Sequence, residues 1–369
     1  MIYLDHNATT PIHPDVLEAM LPFLGAFYGN PSSLYRHGRL TRSAIDTARN
    51  QVATLVNAQA SQIIFTSGGT EANNLALQSA PPLGKLAISA IEHPSVSEPA
   101  ADLKRKGYDL TVIEVDNNGL LSQAAIDKVI ANRPDFVSIM LANNETGVIQ
   151  DVVHYAGQFA AIGALVHTDA VQALGKIPVN FEQLGVQLMT LSSHKLYGPK
   201  GCGALIFAKG SSITPMLLGG GQEQGYRAGT ENVAAIVGFG KAAELAHAEL
   251  VFRNEHLSQL RTLLESQLLS IPSLTIFAQH TQRLPNTVQF GIEGMDGEML
   301  LMKLDQKGIA VSSGSACASG GSAPSPVLLA MGVEASLAKS ALRISLGLNN
   351  TKAEILEFIT VLKSLINPA

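Results

Sequence analysis

The alternation of short apolar segments with helical segments between residues 63 and 208 constrains the fold of this chain more than any other feature. Seven of the apolar segments are predicted strands, namely Ile63–Thr66, Leu86–Ala90, Leu110–Val115, Phe136–Leu141, Ala164–Asp169, Leu188–Ser192 and Ala204–Ala208. Strands that are apolar along their whole length and separated by helices are typical of a largely parallel sheet that is covered on both faces. The pattern therefore predicts an α/β fold with one large, mostly parallel sheet.

A second domain is expected because the chain is too long for one small core and its pattern changes after the predicted sheet. The sequence turns helical from about residue 232 to residue 269, and Pro272 ends that helix. Two further strands, Asn286–Phe290 and Ala341–Ser345, then alternate with helices. We expect three parts, which are an N-terminal arm near the small domain (residues 1–14), a large α/β domain (15–255) and a small α+β domain (256–369).

Composition and charge exclude several classes of function. Hydrophobic residues make up 46% of the 369 residues and charged residues 15%, which is typical of a globular protein. The net charge of −5, without any basic cluster, argues against a nucleic-acid partner. No apolar run reaches the roughly 18 residues of a membrane span, and the first residues lack a signal-peptide core. The two cysteines form neither a disulfide framework nor a zinc ribbon, so we expect a reducing cytoplasm.

A lysine stands at the end of the predicted strand Leu188–Ser192. The motif Ser192-Ser193-His194-Lys195 closes this strand before a glycine-containing loop, which is where ligands gather in open α/β sheets. Lysine is costly to bury as an ordinary cation, but its amine can form a Schiff base with an aldehyde cofactor. Taken alone, the motif is more typical of a surface lysine at a strand end.

A glycine-containing motif, Ser67-Gly68-Gly69-Thr70, follows the predicted strand Ile63–Thr66 and opens a helix. The free N–H groups and the dipole at the start of a helix favour an anion, and the Thr70 hydroxyl adds a donor. The dinucleotide pattern G-x-G-x-x-G and the P-loop lysine are both absent from the motif, so we expect a different phosphate ligand. A tight turn with an N-cap is the alternative interpretation.

An aspartate, Asp169, ends the predicted strand Ala164–Asp169 and needs a cationic or hydrogen-bonding partner there. The protonated nitrogen of a pyridine ring would supply one. Asp169 precedes Lys195 by about one helix and one strand, so both residues can end neighbouring strands at one edge of the sheet. Pyridoxal phosphate needs a lysine, an aspartate and a phosphate cradle together, which favours this cofactor over a simple capping role for Asp169.

Three other loops contain candidate ligands. His93 follows a predicted strand and could stack on a cofactor ring or move protons, although a lone histidine is often structural. Asn144, within Asn143–Gly147, could hydrogen-bond a cofactor hydroxyl, although turns use the same residues. The glycine-rich stretch from Gly219 to Thr230 could contact a ligand or a neighbouring subunit closely, or serve as a linker.

The two cysteines and one arginine receive different interpretations. Small residues surround Cys317, which predicts a loop able to bring a nucleophilic thiolate to a bound substrate. Cys202 lies between two glycines at the start of a strand, and we interpret it as structural. Arg343 is a charged residue inside an apolar strand, so it either grips a substrate carboxylate or belongs to a buried ion pair.

With these motifs in place, the chain resembles the cysteine desulfurases, which belong to the class V branch of the fold-type I pyridoxal-phosphate enzymes. The matching motifs occur in the family's order and span nearly the whole chain, at Leu4–Pro11, Gly29–Ser33, Ser67–Asn73, Asn143–Gly147, Asp169–Gln172, Ser192–Lys195, Arg227–Thr230 and Ser312–Cys317. The resemblance implies a fold-type I transferase with a large mostly parallel sheet domain and a smaller α+β domain.

The resemblance also implies roles for individual residues. Lys195 would bind the cofactor covalently, and His93 would stack on its ring. Asp169 would contact the pyridine nitrogen, with Gln172 and Asn144 near the ring hydroxyl and the substrate. The implied phosphate ligands are Gly69, Thr70, Ser192 and His194, together with Thr230 from the partner subunit of a homodimer.

The activity that the resemblance implies is the removal of sulfur from L-cysteine to give L-alanine. Cys317 would attack the substrate sulfur, Arg343 would bind the substrate carboxylate, and Lys195 with His93 would move protons. The Cys317 persulfide would then pass to an acceptor protein for iron–sulfur cluster assembly or another sulfur transfer. The chain's own histidines and cysteines show no metal-ligand spacing, so we expect no metal site. The alternatives are a selenocysteine lyase, a class V aminotransferase and an inactive cofactor-containing scaffold.

Two departures from the family pattern concern the region around Cys317 and the C-terminus. Ser325-Pro326 stands where family members often carry a histidine or tyrosine after the serine. This departure concerns how well the Cys317 loop is ordered and does not concern its chemistry. The chain ends 26 residues after Arg343, whereas members that dock an iron–sulfur scaffold through a longer tail have more chain there. A carrier for tRNA thiolation or another scaffold is therefore the alternative acceptor.

Overall fold

Thirteen strands and twelve helices make up the part of the chain that the computed structural model describes, residues 1–313 and 323–366. The strands are β1 (Ile2–Tyr3), β2 (Ile63–Thr66), β3 (Lys85–Ser89), β4 (Asp109–Ile113), β5 (Phe136–Ser138), β6 (Leu165–Asp169), β7 (Leu188–Ser192), β8 (Gly203–Phe207), β9 (Leu274–Ile276), β10 (Thr287–Ile292), β11 (Ile309–Ala310), β12 (Ser312–Ser313) and β13 (Leu342–Ser345). The helices are α1 (Pro14–Leu24), α2 (Arg36–Leu55), α3 (Gly69–Gln78), α4 (Pro94–Arg105), α5 (Gln123–Ala131), α6 (Val152–Ala160), α7 (Phe181–Leu184), α8 (Val233–Leu268), α9 (Gly297–Gln306), α10 (Pro326–Ala330), α11 (Ala335–Lys339) and α12 (Lys352–Ile366).

The large sheet has seven strands in the order β2-β8-β7-β6-β5-β3-β4. Strand β8 runs antiparallel to β2 and β7, and every other neighbouring pair is parallel. Six strands therefore point the same way, and their carboxyl ends lie at one edge of the sheet, where open α/β sheets bind ligands. The predicted α/β fold with a mostly parallel sheet is confirmed.

Helices cover both faces of this sheet, and the pleat divides the apolar side chains between two cores. In β2, Ile63 and Phe65 belong to the core on one face, while Ile64 belongs to the core on the other. A strand buried on both faces has no side that faces solvent, which explains why these segments are mostly apolar in the sequence.

The predicted bounds of two strands, Ile63–Thr66 and Leu188–Ser192, agree with the structure at both ends. The prediction Phe136–Leu141 was too long, because β5 ends at Ser138. Beyond that point the Met140 backbone N–H donates to the Glu92 side chain at 2.7 Å instead of to a neighbouring strand.

The small sheet is antiparallel, in the order β12-β13-β10-β9. Leucines of the second half of α8, at 257, 260, 264 and 268, pack in the core beneath it. The first half of the same helix packs in the large core through Phe239. Because α8 runs through residue 255 without a break, the predicted domain boundary there stays a prediction.

The N-terminal arm lies against the small sheet. Strand β1 pairs in parallel with β11, and Asp5 forms a bridge with Ser345, the last residue of β13. Leu4 is fully buried in the same core as Phe290. Among the described residues, no helix has both the length and the apolar character that crossing a membrane requires.

Candidate active site

A cavity of about 320 Å³ opens at the carboxyl edge of the large sheet, which is within the size range of small-molecule sites. The chain reaches it in the segments that follow β2, β3, β5, β6 and β7. The sequence-predicted residues that line it are Gly69, Thr70, His93, Asn144, Asp169, Gln172, Ser192, His194, Lys195 and Arg343. Thr230 is exposed and does not line this cavity, and Cys317 lies outside the described residues. The individual roles predicted for these residues stay predictions.

Lys195 lies in a 3-10 turn, Ser193–Lys195, directly after β7. Its Nζ donates hydrogen bonds to the backbone carbonyl oxygens of Asn7 at 2.5 Å and Ala8 at 2.8 Å. The N-terminal arm therefore forms one wall of the cavity and holds the lysine amine in place. The arm carries a family motif in the sequence, but neither Asn7 nor Ala8 was predicted to have a role.

Asp169 ends β6 with its side chain buried. Its Oδ1 accepts from the Val171 backbone N–H at 2.9 Å, and its Oδ2 accepts from Asn73 Nδ2 at 2.8 Å. Both donors are neutral, so a protonated ring nitrogen would add the positive charge that a buried carboxylate favours.

A chain of hydrogen bonds connects Asp169 to His93. Asn73 Nδ2 also donates to Ser95 Oγ at 2.8 Å, and Ser95 Oγ lies 2.7 Å from His93 Nδ1. The Ser95 backbone N–H donates to the same nitrogen at 3.1 Å, so Nδ1 is an acceptor and the neutral ring carries its proton on Nε2. Burial lowers the pKa of His93, which favours this neutral form. Asn73 and Ser95 were missed as functional residues, although each follows a predicted site residue by two to four positions.

The residues predicted to form a phosphate cradle lie together at the start of α3, and their role stays a prediction. Gly69 and Thr70 are the first residues of that helix, where backbone N–H groups have no intrahelical partner. Ser192 Oγ is buried beside them and has no hydrogen-bond partner among the described residues. The His194 ring contacts Thr9 Oγ1 through Nδ1 at 3.2 Å, and burial together with nearby lysines lowers its pKa to about 4. His194 is therefore a neutral hydrogen-bonding group at neutral pH.

These donors fit pyridoxal phosphate. A phosphate at the start of α3 would use the helical N–H groups and the orphaned Ser192 hydroxyl. Asp169 is a buried carboxylate, which suits the protonated nitrogen of the cofactor ring. Lys195 supplies the amine. The three groups line one cavity, as the cofactor requires.

Arg343 forms a buried ion pair, one of the two interpretations that the sequence left open, and the grip on a substrate carboxylate stays a prediction. Its side chain is 5% exposed and forms an ion pair with Asp5 at 2.7 Å, so the buried pair exists. It also lines the cavity, donates from Nη1 to the Asn144 carbonyl oxygen at 3.0 Å, and has no partner for Nε among the described residues. One buried nitrogen of the guanidinium is therefore left without a partner beside the cavity.

The glycine-rich stretch from Gly219 to Thr230 is anchored at two points and is not a plain linker. Glu223 binds Arg49 with two hydrogen bonds of 2.6 and 2.8 Å and accepts from the Phe65 backbone N–H at 2.8 Å. Because β2 is an edge strand, this carboxylate satisfies an N–H group that the sheet leaves unpaired. Arg227 pairs with Glu71 at 2.9 Å, in the first turn of α3.

Two further predictions, for Cys202 and for Ser325-Pro326, can be compared with the structure. The Cys202 thiol is buried, and burial raises its pKa, so it stays protonated. Ser325 is the N-cap of α10, where it accepts from the Leu328 N–H and donates to Glu145 Oε2 at 2.5 Å. Pro326 is the first residue of that helix, a position that suits proline, so the departure from the family pattern is compatible with an ordered helix start.

A family profile, a sequence relative and two solved structures all place this chain near the same family of proteins. The sequence profile of the aminotransferase class-V family matches residues 2–358. A cysteine desulfurase from a Nostoc species is 42% identical over 99% of this chain and 93% of its own length. The solved structure of a NifS-like protein from Rickettsia africae has a TM-score of 0.91 at 38% identity, and covers 99% of both chains. A structure of SspA in complex with cysteine has a TM-score of 0.81 at 30% identity, over 94% of this chain and 99% of its own.

Proposed function

This chain belongs to the class-V aminotransferase family, and within that family we propose that it is a cysteine desulfurase, which takes sulfur from L-cysteine and releases L-alanine. The observation that carries the proposal is the meeting of Lys195, Asp169 and the start of α3 around one cavity that Arg343 also lines. Relatives at 42% identity over nearly the whole chain are cysteine desulfurases, which supports the same activity here.

Pyridoxal 5'-phosphate, the cofactor of this family, supplies an electron sink for the amino acid that it binds. Gly69, Thr70 and Ser192 would hold its phosphate, and Asp169 its ring nitrogen. Lys195 can take a proton from the substrate Cα, because the carbonyl oxygens of Asn7 and Ala8 are placed to stabilise the resulting ammonium.

The remaining residues would orient the substrate. His93 is neutral with its proton on Nε2, so it can donate a hydrogen bond from Nε2 and does not repel an ammonium group, and the Lys195 ammonium would return the proton. Arg343 would bind the carboxylate of L-cysteine through the part of its guanidinium that Asp5 does not use.

Sulfur transfer is assigned to Cys317 from its motif alone. Its thiolate would attack the sulfur of L-cysteine, the bond between Cβ and that sulfur would break, and Cβ would take a proton. The products are L-alanine and a Cys317 persulfide, which would pass to an iron–sulfur scaffold or another sulfur carrier. A free Cys317 thiol persists in a compartment that keeps thiols reduced, and we infer a cytoplasmic setting on that ground.

The two cysteines provide a matched test. We expect Cys317→Ala to keep the visible absorbance of the bound cofactor but to lose persulfide and alanine formation from L-cysteine. Cys202→Ala, the control, should keep both, because its thiol is buried and protonated. Full alanine production by Cys317→Ala would contradict the role of that cysteine, and a cofactor-loaded wild type without turnover would favour an inactive scaffold.

We also propose a homodimer, supported by an apolar surface around α1. Leu17, Leu21 and Leu24 are exposed at helical spacing, whereas Val16 and Met20 of the same helix are buried. Tyr28 and Leu34, in the segment after α1, are more than 80% exposed. A second copy would cover this surface and could bring Thr230 to the phosphate, since Thr230 does not line the cavity of its own chain. Light scattering of the wild type and of Leu21→Glu tests this, and an unchanged monomeric mass for both would refute it.

A further inference from the structure

Lys176 is a buried lysine for which the proposed reaction has no use. Its side chain lies in the turn after β6 and is 6% exposed. Burying a lysine is costly, and burial followed by repulsion from Lys195 and Arg343 moves its pKa well below the usual value. The free-energy cost of burying the Lys176 amine beside the cavity suggests that its hydrogen bonds have a function.

The first clue is the partner of Lys176 on the cavity wall. Its Nζ donates to Gln172 Oε1 at 2.9 Å, and Gln172 Nε2 donates to the Asn7 carbonyl oxygen at 3.0 Å. That carbonyl can only accept, so the amide must point its nitrogen to Asn7 and its oxygen to Lys176. The amine has N–H groups to donate whether it is charged or neutral. Lys176 and the Asn7 carbonyl, on the two ends of the Gln172 amide, therefore fix together which end is the donor.

The second clue is that Lys176 also reaches Asn7 itself. Its Nζ donates to Asn7 Oδ1 at 3.3 Å, and Asn7 Nδ2 donates to the Asn144 carbonyl oxygen at 3.2 Å. The backbone carbonyl of the same asparagine accepts from Lys195 Nζ at 2.5 Å. One buried amine thus holds Gln172 and the residue that holds Lys195.

We propose that Lys176 is a positioning residue, which orients the Gln172 amide and Asn7 so that both present the correct groups to the cofactor and to Lys195. This inference rests on the proposed function. Gln172 lines the cavity, and an amide nitrogen with two hydrogens can serve Asn7 and a ring hydroxyl at once. A rotated amide would present its oxygen to that hydroxyl and remove the donor.

A double-mutant cycle in cofactor affinity tests the proposal. The apo forms of wild type, Lys176→Met, Gln172→Met and the double variant are titrated with pyridoxal phosphate, and their thermal unfolding is measured without it. Methionine has nearly the length of lysine and no N–H donor, so it removes the hydrogen bonds without leaving a large cavity. We expect Lys176→Met to weaken cofactor binding about 3- to 10-fold, the loss typical of one or two hydrogen bonds. In the Gln172→Met background the same change should weaken binding by a smaller factor than in the wild type, because only the contact of Lys176 with Asn7 is then left to lose.

Lys176→Gln, which keeps a neutral N–H donor, is the second variant and should bind the cofactor more tightly than Lys176→Met. Equal losses in both backgrounds, no loss at all, or equal binding by the two Lys176 variants would overturn the proposal. A marked fall in the unfolding temperature of either apo variant would make Lys176 a structural residue and overturn it too. Wild type that binds no pyridoxal phosphate would contradict the proposed function itself, whereas wild-type binding with unchanged variants contradicts only the role of Lys176.

Discussion

Replacing Arg343 by lysine separates its two partners, because lysine keeps the charge and loses the planar fork. The Asp5 carboxylate lies 2.7 Å from Arg343 Nη2 and is 18% exposed, so a lysine ammonium can still neutralise it. A substrate carboxylate would instead depend on two parallel N–H groups, which lysine cannot offer. The variant should therefore fold with nearly wild-type stability and bind L-cysteine poorly.

The size of the effect follows from the hydrogen bonds that the substrate loses. A hydrogen bond to a charged group contributes about 1.5–3 kcal/mol, which corresponds to a loss of about 10- to 150-fold in kcat/KM. The loss should be specific to substrates with a carboxylate. Cysteamine, which is cysteine without that group, should react with Arg343→Lys about as well as with the wild type.

The assay compares kcat/KM for L-cysteine and cysteamine in the wild type, Arg343→Lys and the control Asp5→Asn. Asp5→Asn removes the anion of the buried pair and should cost about 3 kcal/mol of unfolding free energy. It should nevertheless keep the preference for L-cysteine, since it leaves the guanidinium intact. If Arg343→Lys kept the wild-type preference, Arg343 would be only a structural ion pair and the assignment of the substrate carboxylate would be wrong.

Two further predictions concern groups around the cavity. Burial raises the pKa of the Glu145 carboxyl from its usual 4.5 to about 7, so folding favours its protonated form. The stability that this contributes is fully present below pH 4.5 and is lost by about pH 7. Over that range, the unfolding free energy of the wild type in denaturant titrations should fall by roughly 3 kcal/mol relative to that of Glu145→Gln. If the two unfolding free energies changed in parallel with pH, the raised pKa of Glu145 would be refuted. Gly203→Ala would place a methyl carbon 2.6 Å from the backbone of Gly68, just before α3, so we expect a loss of about 1–3 kcal/mol in unfolding and weaker cofactor binding by titration. The control Gly157→Ala, on an open helical position of α6, should raise stability by about 0.5–1 kcal/mol, and equal cofactor affinity of the two variants would argue against the cradle.

The sequence predicts best those residues whose position follows from a strand end. Apolar runs such as Leu188–Ser192 are recognisable because both faces of the sheet are buried, and the polar residue after each run must then lie at the edge. Asp169, Lys195 and the start of α3 all follow such runs, and all three line the cavity as their positions in the sequence predict.

The direction of β8 was not predicted, although one signal was present. Residues 193–202 alone connect β7 to β8, and a parallel crossover needs a dozen or more residues. The short strands β1, β11 and β12, with two residues each, have no periodicity to detect. They form because pairing partners far away in the sequence satisfy their backbone groups, which a local pattern does not reveal.

The support of the site was harder to predict than the site, because much of it comes from backbone atoms. Lys195 is held by two carbonyl oxygens of the arm, and a carbonyl has no side-chain signature. Asn7 lies where it can hold that lysine only because its own groups bond to the small sheet, with Nδ2 on Thr287 Oγ1 at 2.9 Å and its backbone N–H on Ser345 Oγ at 2.9 Å. Any relative movement of the small sheet would therefore shift the Asn7 carbonyl and, with it, the amine of Lys195. The arm couples the placement of the two sheets to the position of the Lys195 amine, and Lys176, which also bonds to Asn7, belongs to that coupling.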